Sequence, residues 1–288
     1  MPPLLLAIRP KTLPASLAPV ILAWALAAAA GPVRADLVAA CLAVALLLQM
    51  AANLANDYFD ARTGVDGDDR LGPVRVTQTG LMRPGAVLAA LVACVALAMG
   101  AGLYAAWQVG WWLVGLGAVC VAAAVAYTAG PLPLARLGLG EAAALVFFGP
   151  VACTVSFAVM HGSATPAAWA AGLVPGLHAA AIMAVNNLRD IGSDTRAGKR
   201  TLAVRLGEPR ARLLAVALVV LGNLAAAPVA RLADRPWAFL ALVLAPLGRP
   251  LHAAIMTTPR SPALNRVLAR TGLWELLSCV VLAALLLV

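Results

Sequence analysis

Two short stretches of this chain place acids and amides where a helix would stack them on one side. The first reads Asn53-Leu-Ala-Asn56-Asp57-Tyr-Phe-Asp60 and runs on through Arg62, Asp66, Asp68, Asp69 and Arg70. The second reads Asn186-Asn187-Leu-Arg189-Asp190-Ile-Gly-Ser-Asp194, followed by Lys199 and Arg200. Asn53, Asp57 and Asp60 are spaced four and three apart, and Asn186, Asp190 and Asp194 four apart, so each set shares one helix face. Carboxylates stacked in this way repel one another unless a cation lies between them. Hard divalent ions prefer oxygen ligands, and magnesium typically combines one or two carboxylates with phosphate oxygens. Two such faces meeting across a bundle would clamp magnesium around a diphosphate. Arg62, Arg70, Arg75, Arg189, Lys199 and Arg200 would neutralise the remaining phosphate charge. A metal ion and a guanidinium on a diphosphate make it a good leaving group.

The elements that hold these stretches are membrane helices. The chain is 63% hydrophobic and 11% charged, with a mean hydropathy of +0.92, against about 25% charged residues in a soluble domain. Apolar runs long enough to cross the hydrocarbon recur throughout. Unbroken Ala/Leu/Val stretches exclude the alternating pattern of a β-barrel. The fold class is therefore an all-α polytopic membrane protein, residues 1–288 forming one transmembrane domain. Nine spans are expected, near 14–30, 36–56, 86–107, 110–128, 141–161, 165–188, 212–230, 235–255 and 270–288. The start of the chain has no leading positive charge and too short an apolar core for a cleaved signal, so the first span is expected to remain.

Charge sets the orientation. The N-terminus and the connections after spans two, four, six and eight carry 18 of the 21 Lys and Arg; only Arg34, Arg231 and Arg235 fall on the other side. By the positive-inside rule the acidic stretches face the cytoplasm, which predicts a multi-pass protein of a bacterial cytoplasmic (inner) membrane with its site on the cytoplasmic face. The net charge of +9 is mostly this topology signal, and nothing resembles a nucleic-acid module. Seven of the 12 acidic residues lie in the two stretches. Asn53, Asp57, Asp60, Asn186, Asp190 and Asp194 begin inside the spans, where polar groups are costly and functional by default. The outer Asp66, Asp68 and Asp69 fit equally well as solvated charges anchoring a helix end. The five cysteines are scattered through apolar runs and read as packing residues. A third constellation, Tyr127-Thr128-Ala-Gly130-Pro131 through Gly138 and Gly140 to Glu141, marks a tight turn between spans four and five. From it Tyr127 and Glu141 could reach the pocket; the competing account makes Tyr127 an interfacial aromatic and Glu141 a helix-start charge.

From Arg9 to about Gly207 the chain resembles the UbiA superfamily of intramembrane aromatic prenyltransferases. It is most similar there to the 1,4-dihydroxy-2-naphthoate polyprenyltransferases of menaquinone biosynthesis. The resemblance rests on Arg9-Pro10-Lys11-Thr12-Leu13-Pro14-Ala15-Ser16, on Asn56-Asp57-Tyr58-Phe59-Asp60, and on Arg70-Leu71-Gly72-Pro73 with Gln78-Thr79-Gly80. Asn186-Asn187-Leu188-Arg189-Asp190 and Gly198-Lys199-Arg200-Thr201-Leu202 complete it. Arg136 departs from the pattern, since an aromatic or neutral residue is expected there, and the last three spans carry no motif. The resemblance implies a bundle with a central cavity and a magnesium-assisted transfer of an all-trans polyprenyl group from its diphosphate to the naphthoate ring. The ring loses carbon dioxide and demethylmenaquinol results. It implies that Asp57, Asp60, Asp190 and Asp194 bind Mg2+, with Asn53, Asn56, Asn186 and Asn187 as neutral oxygen ligands or their supports. Arg62, Arg75, Lys199 and Arg200 would contact diphosphate, Tyr127 would face the allylic cation, and Arg9 and Lys11 would receive the naphthoate carboxylate. The partners are thus a polyprenyl diphosphate, an aromatic acid and membrane lipid, with no nucleic acid and no protein partner inferred.

Three other readings use the same residues. A secondary transporter of an anionic substrate would favour polar groups near mid-bilayer, whereas these acids sit at one face. A lipid-headgroup transferase with a CDP-linked donor would show a compact Asp-x-x-Asp-Gly run, which is absent. Within the superfamily, 4-hydroxybenzoate, homogentisate or haem acceptors differ only in the branch-specific motifs.

Overall fold

In the computed structural model, which describes residues 2–63, 71–73, 75–128 and 138–288 (the side chains at 60–63 and 123–128 excepted), every regular element is helical. They are α1 (Pro3–Ile8), α2 (Pro14–Ala30), α3 (Ala35–Thr63), α4 (Pro84–Val109), α5 (Trp112–Thr128), α6 (Gly140–Val146) and α7 (Ala152–His161). Then follow α8 (Pro166–Arg196), α9 (Leu202–Leu224), α10 (Ala226–Leu232), α11 (Leu244–Leu247), α12 (Arg249–Thr257) and α13 (Leu264–Leu286). Proline and hydroxyl residues set the starts: Thr165 caps α8 by accepting from the Ala168 amide, and Thr201 caps α9 by accepting from that of Val204.

Seven helical stretches among the described residues are long and apolar enough to cross a membrane, or eight if α1 and α2, bent by 50°, count as one broken span. All nine expected spans find a helix at the expected place, but α5, 17 residues long, is short for a crossing at about 1.5 Å per residue. The seventh span starts ten residues earlier than its expected beginning at 212, because Leu202–Gly207 adds a helical turn before a break at Gly207 (φ 74°). Arg212 crosses that region to donate to the carbonyls of Ile255 and Thr258 and to Glu208. It thereby satisfies orphan carbonyls at the end of α12.

The core explains why the second acidic stretch is so well positioned. α8 is 72% buried across its apolar window, whereas α4 is 17% buried. One apolar cluster joins α2, α7, α8, α10 and α13, and a second joins α8, α9, α12 and α13. Alanine is the commonest residue in both, which suits helices held by close backbone approach in lipid. The tightest seam lies between α8 and the π-type turn Phe147–Val151 that joins α6 to α7. A Cβ on Gly149 would stand 2.6 Å from the Gly172 carbonyl oxygen, and one on Gly176 would stand 2.5 Å from that of Leu145. Only glycine fits there, and the seam presses α6 along the side of α8 that leads to Asn187.

Candidate active site

The second acidic stretch forms the last three turns of α8. Asp190 and Asp194 lie one turn apart on one face, with Asn187 on the same side a turn nearer mid-span. Arg189, only 3% exposed, organises this end of the helix. Its guanidinium forks onto Asp190 (Nε–Oδ1 2.7 Å, Nη2–Oδ2 2.6 Å), and Nη2 also donates to Asn186 Oδ1 at 2.9 Å. Asp194 is buried and pairs with Lys199 at 3.4 Å, a contact set up by the Lys199 amide donating to the Asp194 carbonyl. Lys199 itself is half-buried and Arg200 is exposed.

The first stretch is arranged differently. Asp57 is completely buried, and its two oxygens accept backbone hydrogen bonds from Val76 (3.0 Å) and Thr77 (2.9 Å). The acid at the end of α3 therefore pins the segment that carries Arg75, itself 6% exposed. Asn53, one turn earlier, donates through Nδ2 to the Ile8 carbonyl and to Thr12 Oγ1, both at 2.9 Å. Its work is to dock the Arg9–Thr12 turn against α3, where Arg9 adopts a left-handed φ of 52° and Lys11 is exposed. Asn56 is exposed. The side chains of Asp60, Arg62 and Tyr127, together with Asp66, Asp68, Asp69, Arg70 and Arg136, lie outside the described residues.

Two residues tie the second acidic stretch to other parts of the chain. Asn265, in the first turn of α13, donates to the Leu71 carbonyl and accepts from Arg189 Nη1, each at 2.7 Å. One amide thus joins the loop after the first acidic stretch to the arginine that holds the second. The expectation that the last three spans carry no motif missed it, since a lone Asn in a helical first turn has no spacing to signal its role. Beside this bridge a cavity of about 200 Å³ is lined by Leu71, Arg189, Gly192, Ser193, Arg196 and Arg260. The second link is Glu141, 6% exposed, whose Oε1 accepts from Asn187 Nδ2 at 3.0 Å. The turn before it is seated by Gly138 (φ 76°), where a Cβ would stand 2.8 Å from the Arg200 carbonyl oxygen.

Among the described residues no three acids or other metal-ligating side chains converge on one point. The donor chemistry nevertheless suits a hard cation shared with phosphate: two carboxylates one turn apart, amide oxygens beside them, and no soft ligand. Arg189 and Lys199 neutralise these carboxylates here, and both are suited to binding phosphate oxygens as well.

A polytopic helical bundle with acid-rich ends on two helices is the frame of intramembrane prenyl transfer, and residues 16–277 match the UbiA prenyltransferase family. The chain belongs to that family. It is 40% identical over 271 residues to the 1,4-dihydroxy-2-naphthoate octaprenyltransferase of Mycobacterium tuberculosis (strain ATCC 25618 / H37Rv), covering 92% of this chain and 90% of that protein. The enzyme of the same name from Escherichia coli (strain K12) is 36% identical over 274 residues, covering 92% and 88%. In fold, the chain is similar to a UbiA homolog from Archaeoglobus fulgidus bound to DMAPP and Mg2+, with a TM-score of 0.66 at 17% identity over 98% of each chain.

Proposed function

We propose that this protein transfers a polyprenyl group from an all-trans polyprenyl diphosphate to 1,4-dihydroxy-2-naphthoate, with loss of carbon dioxide, to give demethylmenaquinol in menaquinone biosynthesis. The chemistry is supported by one arrangement above all: Asp190 and Asp194 on one face of α8, with Arg189 and Lys199 on their carboxylates and Asn265 tying them to the loop of the first stretch. The choice of acceptor rests on similarity to the two bacterial enzymes above. The excess of Lys and Arg on the side of the acidic stretches supports a cytoplasmic site.

Asp190 and Asp194 would hold Mg2+ with the diphosphate, and Asp57 and Asp60 would complete the set from α3. Bound magnesium supplies the positive charge that lets diphosphate depart. Lys199, Arg75, Arg62 and Arg200 bind its oxygens, and Asn53, Asn56, Asn186 and Asn187 hold the acids and the adjoining turns in place. The tail runs along lipid-facing helices, so the breaking C–O bond points from the acidic rim toward mid-span. Tyr127 would serve the developing allylic cation, and Arg9 and Lys11 would receive the naphthoate carboxylate. Alanine-lined helices beneath the rim exclude water, which would otherwise capture the cation.

The test uses the full chain, purified in detergent with Mg2+ and farnesyl diphosphate, against dihydroxynaphthoate, 4-hydroxybenzoate and homogentisate. Release of carbon dioxide and a prenylated quinol from dihydroxynaphthoate alone is expected. Turnover of 4-hydroxybenzoate in preference would move the protein to another acceptor, and no prenyl transfer to any would overturn the reading.

A further inference from the structure

Glu141 carries an acceptor that no described residue uses. Its Oε1 takes the Asn187 amide, but Oε2 is buried and has no hydrogen-bond partner among the described residues. Among the described residues no ion pair includes Glu141. A buried carboxylate oxygen left unpaired is costly, and native structures keep such groups for a reason. Its position is fixed by two independent packings, the glycine seam along α8 and the Gly138 turn on Arg200, so it is not the loose end of a surface loop.

Depth gives the reason. Asn187 precedes Asp190 by three residues on the same side of α8, which puts Glu141 roughly 4.5 Å nearer mid-span than the acidic rim. If the diphosphate sits at that rim, the allylic carbon and the attacking ring must lie about one turn deeper, beside Glu141. A prenyl diphosphate offers only acceptor oxygens and hydrocarbon, and none of these can satisfy Oε2. A dihydroxy aromatic acid offers hydroxyl donors.

We propose that Glu141 Oε2 accepts a hydrogen bond from a ring hydroxyl of the aromatic acceptor, and so makes Glu141 a catalytic and specificity-determining residue. The inference rests on the acceptor reading above. A charge-assisted O–H···O⁻ bond pushes electron density into the ring and fixes its face toward the allylic carbon. The step balances without proton transfer. The ring–carbon bond forms as the C–O bond to diphosphate breaks, with the electron pair leaving on diphosphate. The ring carboxylate departs as carbon dioxide and returns its bonding pair to the ring, while the hydroxyl keeps its proton.

The experiment compares wild type, Glu141→Gln and Glu141→Asp in detergent with Mg2+ and farnesyl diphosphate. The acceptors are dihydroxynaphthoate and its two mono-methyl ethers, each lacking one hydroxyl donor. For Glu141→Gln, kcat/KM for dihydroxynaphthoate should fall by roughly 100-fold or more, since a site built to bond a hydroxyl discriminates steeply. KM for farnesyl diphosphate should stay within about twofold. Wild type should reject one ether by a similar factor, and Glu141→Gln should no longer distinguish that ether from the parent. Glu141→Asp, which keeps the charge, should recover part of the discrimination and covers the case in which the glutamine variant does not fold. Equal losses on all three acceptors, or equal use of both ethers by wild type, would overturn this role while leaving the prenyl-transfer reading intact. A wild type that neither binds nor prenylates dihydroxynaphthoate would overturn both.

Discussion

Replacing Asp57 by Asn separates the metal-binding job expected from the sequence from the backbone-anchoring job that the structure shows. In the structure both Asp57 oxygens are engaged by the backbone amides of Val76 and Thr77, and the side chain is wholly buried. Asparagine keeps one acceptor but turns an NH2 group toward the other amide, so one bond is lost and a donor faces a donor. A hydrogen bond to a charged group contributes roughly 1.5–3 kcal/mol, and a buried unpaired donor costs about 1–3 kcal/mol. A loss of about 3 kcal/mol or more follows, equivalent to a fall in Tm of roughly 6 °C or more for a protein of this size. The chain's seven tryptophans allow the melting curve to be followed by fluorescence in detergent without added metal. Asp194→Asn is the control, because its partner Lys199 is 36% exposed and lies 3.4 Å away. That pair should change stability by about 1 kcal/mol or less, yet Asp194→Asn should abolish transfer. An Asp57→Asn protein that melts like wild type and is merely inactive would refute the anchoring argument. It would return Asp57 to a role confined to ligands.

Lys199→Ala should leave Tm nearly unchanged, since half-exposed ion pairs add little, while raising KM for the prenyl diphosphate about tenfold or more in steady-state assays. Gly176→Ala would drive a methyl to within 2.5 Å of the Leu145 carbonyl oxygen. Overpacking of this kind costs about 1–3 kcal/mol, and displacement of α6 should lower kcat together with Tm. Arg212→Leu strips the Ile255 and Thr258 carbonyls and Glu208 of their shared donor. It should destabilise by roughly 3 kcal/mol or more with near-normal activity at low temperature, as measured by melting and turnover on the same preparation.

Much of this protein is set by properties local to the chain. Hydropathy alone requires membrane helices, because no soluble fold could cover so much apolar surface, and a period of three to four residues puts Asp190 with Asp194 on one face whatever surrounds them. Boundaries were less legible where a break interrupts a helix, as at Gly207, or where a helix is short, as α5 is. Tertiary structure decided what each polar side chain meets. Asp57 and Asp190 look equivalent in sequence, yet one grips the backbone amides of loop 75–80, brought to it by folding, and the other its own chain neighbour Arg189, whose guanidinium Asn265 holds from α13. Asn265 joins Leu71 to Arg189 across 194 and 76 residues, a separation that no spacing rule reads. Glu141 acquires its place only when glycines on two helices let α6 close on α8. Helical period and hydropathy are properties of neighbours along the chain; hydrogen-bond partners and burial belong to the packed bundle, and only folding assigns them.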